Sequence, residues 1–206
     1  SSPELTLDDI HAMVDDLAYT GTLRHVPTII TGSFETMRRN IKLVADAVLG
    51  DPQLALSIPG IHLEGPYISP LDGARGAHSL RHVRKPDLQE LAAWQEAAQG
   101  LIRLITLAPE TEGAAEYIQA AAGMGIRVAI GHSLAKAEDI TQAVEAGATL
   151  STHLGNGSPA MLPRLNNHIW TQLANDDLHA SLIADGFHVP PNTLKVFARA
   201  KELQRI

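Results

Sequence analysis

Residues 60–70 read GIHLEGPYISP, an apolar run that ends in the carboxylate of Glu64. The apolar residues before Glu64 are typical of a buried strand, and Gly65 with Pro66 predicts a turn directly after it. His62 stands two residues before Glu64 and shares its side of the strand. The role of this carboxylate depends on what stands at the ends of the other predicted strands.

Five further apolar runs are predicted strands: one is RHVPTIIT at 24–31, and the others end near Leu107, His132, His153 and Asp185. Helical patterns lie before, between and after the strands, at 6–20, from Ser33 onward, at 87–99, 111–124 and 135–146, at about 166–176 and at 191–204. The pattern from Ser33 onward places four apolar residues on one face: Met37, Ile41, Val44 and Val48. The first helix begins with Thr6 and Asp9 in the spacing of a capping box. Strands that alternate with helices predict a parallel sheet covered by helices.

Two α/β architectures fit this alternation. A doubly wound sheet usually carries a glycine-rich phosphate loop after its first strand, and neither GxGxxG nor GxxxxGK[ST] occurs in the sequence. Polar residues instead recur at the ends of successive strands, where a (β/α)8 TIM barrel assembles its active site. The sequence therefore predicts a (β/α)8 TIM barrel. The barrel is incomplete, because such a fold needs eight strands and about 250 residues.

The composition limits the chemistry that the 206 residues can support. With no cysteine, any metal must be held by histidine and carboxylate side chains. The net charge of −7 and the scattered lysines and arginines argue against nucleic acid as a partner. No apolar stretch approaches the roughly 20 residues that cross a bilayer, and the first residues are acidic. We expect a cytoplasmic protein that does not bind membranes.

Three strand ends carry side chains that can bind a metal: Glu64, His132 and His153. In a barrel these ends lie side by side on one rim, so the three side chains can meet. Each histidine by itself could be a hydrogen-bonded residue at a strand end. Together, two imidazoles and a carboxylate around an open position are typical of a hydrolytic zinc site, which activates water and polarises a carbonyl. We predict one divalent metal ion, zinc, bound by these three residues.

The remaining histidines have other expected places. His62 should lie one layer below Glu64, either supporting a ligand or as a packed, hydrogen-bonded residue. His25 begins a predicted strand and should lie at the other end of the barrel. The histidines expected on the surface are His11, His82, His168 and His179.

Six short motifs, in order and spacing, resemble the N-acetylglucosamine-6-phosphate deacetylases of the amidohydrolase superfamily: HLEGPYI (62–68), GAH (76–78), TLAPE (106–110), GHS (131–133), STHLGNG (151–157) and IADGFHV (183–189). The resemblance covers nearly the whole chain. It implies a metal-dependent hydrolase that converts N-acetylglucosamine 6-phosphate to glucosamine 6-phosphate and acetate. It also implies that Glu64, His132 and His153 are the metal ligands.

The resemblance implies further roles in the site. His78, next to Ala77, would polarise or orient the acetamido group, and Asn156 and Gly157 would hold the phosphate through their amides. His188 would contact the sugar. Arg164 would reach the phosphate bound by a neighbouring subunit, which implies a homodimer.

The chain departs from the family at one loop and in its strand count. At 153–164 it reads HLGNGSPAMLPR, whereas the family has an aromatic residue and Asn-Ala-Met after the histidine. The family also places its catalytic aspartate at the end of strand eight, but the six predicted strands match strands two to seven. Asp185 is the alternative base, although it matches a turn. The small β-domain of the family has no counterpart in residues 1–206, which we interpret as a single partial barrel domain.

Two alternatives follow from these departures. One is a different amidohydrolase, such as an N-acyl amino acid deacylase, which the altered loop would favour. The other is a truncated domain that binds metal or sugar phosphate without catalysis. An open six-stranded arc would expose two strand edges, so we expect the 206 residues to be a fragment that is not stable alone.

Overall fold

The computed structural model describes residues 5–206. Six strands form one parallel sheet in which each strand pairs with the next along the chain: β1 (Thr28–Ile30), β2 (Ile61–Glu64), β3 (Ile102–Leu107), β4 (Arg127–Ile130), β5 (Ala148–Ser151) and β6 (His179–Ala180). The helices are α1 (Leu7–Tyr19), α2 (Phe34–Gly50), α3 (Pro52–Ser57), α4 (Leu88–Ala97), α5 (Ala114–Gly123), α6 (Ala137–Ala146), α7 (His168–Ala174) and α8 (Pro191–Lys201). Short 3₁₀ turns lie at Leu80–His82 and Leu203–Arg205.

A parallel sheet in strict chain order, with a helix after each strand, is the topology of a TIM barrel. The described residues form six consecutive βα units of this fold, as the sequence predicts, and β1 and β6 are the two edge strands of the arc. None of the helices in residues 5–206 is long and apolar enough to cross a membrane.

Local sequence explains where the helices begin. At the start of α1, the Thr6 hydroxyl accepts a hydrogen bond from the Asp9 amide, and the Asp9 carboxylate accepts one from the Thr6 amide at 2.8 Å. This is the predicted capping box. Ser33 caps α2 in the same way by accepting from the Thr36 amide.

The two outermost strands are shorter than predicted. Residues 24–27 are not in β1, which begins after Pro27, because proline has no amide hydrogen to donate to a sheet. Its carbonyl still accepts from the His62 amide at 3.0 Å. At the other edge, β6 ends at Ala180, so the expected strand end at Asp185 is wrong. The Asp185 carboxylate instead accepts hydrogen bonds from the amides of Phe187 and His188, both at 2.9 Å, and forms a turn.

The core lies between the sheet and the helices. Register partners Ile29, Leu63, Ile105 and Val128 form a buried row across four strands and pack in one cluster with the buried side of the helices. The predicted apolar face of α2 belongs to this cluster: Met37, Ile41, Val44 and Val48. Because side chains alternate along a strand, His62 and Glu64 point to the opposite, concave side of the arc.

Candidate metal centre

Four side chains meet at the carboxyl ends of the strands. Glu64 is the last residue of β2, His132 and His153 each follow the end of their strand by two residues, and His78 comes from the loop after β2. Oε1 of Glu64 lies 3.0 Å from Nε2 of His132, 3.1 Å from Nε2 of His78 and 3.7 Å from Nε2 of His153. Nε2 of His132 lies 3.1 Å from Nε2 of His153 and 3.3 Å from Nε2 of His78. The structure thus brings together the three predicted ligands and a fourth residue.

Both strand-end histidines have an unusual backbone. The φ angles of His132 and His153 are 51° and 30°, in the left-handed region that residues other than glycine seldom adopt. Neighbouring groups hold this conformation: the Ser69 amide donates to the His132 carbonyl at 2.9 Å, and Ser181 Oγ accepts from the His153 amide at 2.8 Å. Strained backbone of this kind clusters at functional sites, where the surrounding structure maintains it.

The tautomer of His132 follows from its neighbours. Its Nδ1 lies 3.0 Å from the carbonyl oxygen of Ala74, and a carbonyl can only accept a hydrogen bond. Nδ1 therefore carries the proton in the neutral ring, and Nε2 presents a lone pair to Glu64.

His78 is oriented in the same way by Thr31. The Thr31 hydroxyl donates to the carbonyl of Glu64 at 3.3 Å, so its oxygen accepts from Nδ1 of His78 at 2.8 Å. Nε2 of His78 is then also unprotonated and faces the same carboxylate oxygen.

Lone pairs that point at one another and at a carboxylate need a cation between them. A divalent metal fits this donor set, because neutral imidazole nitrogen and carboxylate oxygen are ligands that zinc prefers. Without a metal, the cation between them is a proton on the facing imidazole nitrogens: burial raises the pKa of Glu64, but hydrogen bonds donated by protonated His132, His153 and His78 outweigh burial and hold this pKa far below its usual value. The carboxylate is ionised and available as a ligand.

Two glycines leave room for the His132 ring. A Cβ at Gly157 would lie 2.8 Å from Nδ1 of His132, and one at Gly76 would lie 3.2 Å from its Cε1. Both glycines have positive φ, 60° and 58°. A larger residue at either position would press on the ring and strain the backbone.

A buried polar layer lies beneath the ligands. Nδ1 of His62 is 3.0 Å from Thr28 Oγ1, its Nε2 is 2.7 Å from Thr106 Oγ1, and Thr106 in turn lies 2.6 Å from Thr152 Oγ1. Burial lowers the pKa of His62 to about 4, so the ring is neutral. His62 is thus a packed, hydrogen-bonded residue, which is the second of the two roles expected for it from the sequence. The polar layer around it links the strands that carry Glu64 and His153.

The other histidines are mostly where the sequence predicts them. His179 is exposed in β6, His11 and His82 are partly exposed, and His25 precedes β1. The expectation of a surface position is wrong for His168, which begins α7 and is 7% exposed. Its Nε2 lies 2.8 Å from the hydroxyl of Ser158, because the loop after β5 folds back over the start of α7.

The metal-binding side chains open into a cleft of about 370 Å³. The cleft is also lined by four of the predicted substrate-binding residues: Ala77, Asn156, Gly157 and His188. His188 is half exposed, and its Nδ1 lies 2.7 Å from Oδ2 of Asp185. Arg164 lies outside this cleft, exposed on the loop before α7.

Asp185, which the sequence offered as an alternative general base, forms hydrogen bonds within its own turn. Backbone hydrogen bonds from His188 and Phe187, together with the His188 side chain, lower the pKa of Asp185 to about 2. A carboxylate with so low a pKa is a poor proton acceptor at neutral pH, so this geometry favours the turn interpretation.

Sequence reasoning missed the residues that orient the ligands. Thr31 could have been found as a polar residue at the end of a strand, like Glu64, whereas the contact of Ala74 is a backbone carbonyl that no side-chain pattern reveals. Sequence reasoning also missed the role of Glu110 in the TLAPE motif. Its carboxylate accepts from Ser133 Oγ and from the Leu134 amide, both at 2.7 Å, and so fixes the loop that follows His132.

No family model matches the chain. A curated relative from Shewanella sp. (strain ANA-3), named N-acetylgalactosamine-6-phosphate deacetylase, is 34% identical over 98% of the chain and 49% of its own length. The N-acetylglucosamine-6-phosphate deacetylase of Bacillus subtilis (strain 168) is 37% identical over 72% of the chain and 37% of its own length.

Among solved structures, an N-acetyl-D-glucosamine-6-phosphate deacetylase mutant from Mycobacterium smegmatis, in complex with N-acetyl-D-glucosamine-6-phosphate, matches with a TM-score of 0.89 at 30% identity. The match covers 97% of this chain and 51% of the other. This chain thus spans about half the length of the relatives that it matches most fully. By sequence and by fold, the chain is similar, over about half of their length, to N-acetylglucosamine- and N-acetylgalactosamine-6-phosphate deacetylases.

Proposed function

We propose that this chain supplies the metal-binding and substrate-binding half of an enzyme that hydrolyses N-acetylglucosamine 6-phosphate to glucosamine 6-phosphate and acetate. The observation that carries the proposal is the convergence of Glu64, His132 and His153 at the rim of the barrel, where Nε2 of His132 and Nε2 of His153 lie 3.0 Å and 3.7 Å from the same oxygen of Glu64. The similarity to relatives that are named for this reaction supports it.

The donor set would hold one divalent metal ion, and we infer zinc from the two imidazoles and one carboxylate. A metal bound there polarises an amide carbonyl and acidifies a water molecule, which are the two requirements of amide hydrolysis. The protein contributes the orientation: Ala74 fixes the tautomer of His132, and the left-handed backbone of His132 and His153 directs both rings toward Glu64.

The cleft supports the substrate roles that the family resemblance implies. His78 and Ala77 lie on one side of it, and Asn156, Gly157 and His188 also line it. The backbone amide of Asn156 donates to the His153 carbonyl at 2.9 Å, and its side-chain Nδ2 donates to the same carbonyl at 3.3 Å with one hydrogen left for a further acceptor. We therefore assign phosphate binding mainly to the Gly157 amide and the Asn156 side chain, with His188 on the sugar.

Proton transfer needs a group beyond those assigned here. The family resemblance puts the general base on strand eight, which is not among the six described strands. The proposal therefore gives this chain the binding and orienting roles. The homodimer with Arg164 at a neighbouring phosphate, and the cytoplasmic location, remain predictions.

A second sugar phosphate is a specific alternative. The Shewanella relative, which matches 98% of the chain, is named for N-acetylgalactosamine 6-phosphate. This sugar differs from N-acetylglucosamine only in the configuration at one hydroxyl. The divergent loop at 153–164 lies beside the cleft and could accommodate either sugar.

The test is binding of both N-acetylhexosamine 6-phosphates and of N-acetyl amino acids to the zinc-loaded chain, measured by isothermal titration. We expect a sugar phosphate to bind, with binding weakened by E64Q, which removes a metal ligand, and retained with E112Q. Glu112 is a matched control because its exposed carboxylate pairs with Lys85 away from the cleft. Binding only of N-acetyl amino acids would favour the acylase alternative. A folded, zinc-bound chain that binds no sugar phosphate would contradict the proposal, and acetate release by this chain would mean that the base lies within it.

A further inference from the structure

We propose that His168 is a positioning residue for phosphate binding, which acts through Ser158 to hold the Gly157 amide and the Asn156 side chain at the cleft. This inference rests on the proposed function, which assigns the phosphate to Asn156 and Gly157. It adds a residue of α7 that the sequence places on the surface. Three features carry it: the available donors of the loop after β5, the flexibility of that loop and the buried contact that anchors it.

The loop after β5 has donors available for an anion. Within residues 5–206, no group accepts a hydrogen bond from the Gly157 amide. Nδ2 of Asn156 bonds to the His153 carbonyl with one of its two hydrogens and keeps the other. The φ angles of Gly155 and Gly157 are 93° and 60°, and backbone amides in turns of this kind form concave anion sites. The loop can therefore offer both donors to a phosphate.

The sequence of this loop makes it flexible. Gly155 and Gly157 stand on either side of Asn156. Because glycine has no Cβ, each allows many backbone conformations. Ordering such a loop on binding weakens affinity unless other contacts already hold it. The donors of Asn156 and Gly157 therefore need an anchor close by in the structure.

Ser158 provides this anchor by its contact with His168. The Ser158 hydroxyl, directly after Gly157, lies 2.8 Å from Nε2 of His168, the first residue of α7. The His168 side chain is 7% exposed, so water competes little for this hydrogen bond. The first turn of α7 is held in turn by Gln172, whose Nε2 donates to the His168 carbonyl at 3.1 Å. The His168 ring is thus a fixed partner for a glycine-rich loop.

The loop also packs closely on its surroundings. The cavity between the loop, α7 and His132 measures only about 10 Å³, about the smallest space that holds one water molecule. On the other side, a Cβ at Gly73 would lie 2.7 Å from Cα of Pro159, so the loops after β2 and β5 touch there. Ser158 and Pro159 together fix the segment that follows Gly157. The Ser158 contact is a side-chain hydrogen bond, and mutation can remove it from either end.

The experiment measures two dissociation constants by isothermal titration: that of N-acetylglucosamine 6-phosphate with the zinc-loaded chain, and that of zinc with the metal-free chain. We expect H168L and S158A each to weaken sugar phosphate binding about 3- to 10-fold, as the loss of one hydrogen bond does, and to change zinc binding less than about 2-fold. The double variant should bind no more weakly than either single variant, because both remove the same contact. H168Q should restore most of the affinity, since its amide can reach Ser158.

A matched control lies on the same helix. The Thr171 hydroxyl donates to the Asn167 carbonyl at 3.3 Å rather than to the loop after β5. T171V should therefore keep the wild-type affinity for both zinc and the sugar phosphate.

The outcomes separate this inference from the proposed function. Wild-type affinity for the sugar phosphate in H168L and S158A would overturn the positioning role and leave the proposed function intact. Additive losses in the double variant, or equal losses for zinc and sugar phosphate, would also overturn it, because His168 would then not act through Ser158. A zinc-loaded wild-type chain that binds no sugar phosphate would overturn the proposed function, and this inference with it. S158A decides the question if H168L fails to fold.

Discussion

The carbonyl oxygen of Ala74 lies 3.0 Å from Nδ1 of His132 and sets the proton on that nitrogen. The two residues are 58 positions apart, on the loop after β2 and at the end of β4. A backbone group of one loop therefore decides which nitrogen of a strand-end histidine is free to bind a metal. Such outer contacts raise ligand basicity and fix ring orientation.

The space between Gly157 and the His132 ring can be tested by mutation. We expect G157A to weaken zinc binding about 10- to 100-fold, as the loss of an outer contact does, because the new methyl group would lie 2.8 Å from Nδ1 of the ring. G155A is the matched control in the same loop, since Gly155 also has positive φ but its Cβ would meet only the Phe197 ring, at 3.5 Å. Both variants should lose about 1–2 kcal/mol of stability from left-handed strain. Isothermal titration with zinc that gives equal affinities for the two variants would contradict the steric argument.

Metal binding should stabilise the folded chain, because a cation relieves the convergence of lone pairs on Glu64. At a free zinc concentration 100 times the Kd, the gain is about 2.7 kcal/mol. For a chain of this length that corresponds to a rise in Tm of roughly 5–10 °C. Thermal unfolding followed by circular dichroism, with zinc and after chelation, measures the shift. E64Q should lose the shift and E112Q should keep it; a full shift in E64Q would argue for zinc binding elsewhere.

The polar layer beneath the metal-binding side chains, formed by His62, Thr106 and Thr152, should stabilise the fold. T106V removes the hydroxyl that lies between His62 and Thr152, and so leaves two buried polar groups without this partner. We expect a loss of about 1–3 kcal/mol in the free energy of unfolding by urea. T141V makes the same substitution on the exposed side of α6, where the hydroxyl bonds only to the preceding turn, and should cost little. Equal losses would mean that the layer adds nothing beyond helix or strand propensity.

Stability should fall in acid partly through His168. Burial lowers the pKa of His168 below its usual 6.5, so between pH 6.5 and that lower value the unfolded chain binds a proton that the folded chain does not. The stabilising effect is complete above pH 6.5 and is lost as pH falls, at up to about 1.4 kcal/mol per pH unit. Urea unfolding at a series of pH values should show a shallower acid loss in H168Q.

The control for this pH effect is H179Q, since His179 is exposed on the edge strand β6. It should keep the acid dependence of the wild type, including the part that buried His62 contributes in every variant. An unchanged acid dependence in H168Q would mean that His168 titrates alike in the folded and unfolded chains.

Local sequence was enough to predict much of the fold. The capping box of Thr6 and Asp9, the apolar face of α2 and the alternation of strands and helices each depend on neighbours along the chain, and the structure contains all three. The wrong predictions concern residues whose position depends on contacts outside their own helix or strand. His168 is polar and begins a helix, which suggests a surface position, but a loop ten residues earlier covers it.

The sequence by itself determined the polar strand ends: Glu64, His132 and His153 could be placed on one rim because parallel strands in chain order leave their carboxyl ends together. Only the tertiary structure decided what their atoms do. The protonated nitrogen of His132 depends on a carbonyl, and that of His78 on a hydroxyl whose own hydrogen is already donated. Tautomers and donor distances arise from contacts between loops far apart in the chain, and no periodicity in the sequence encodes them.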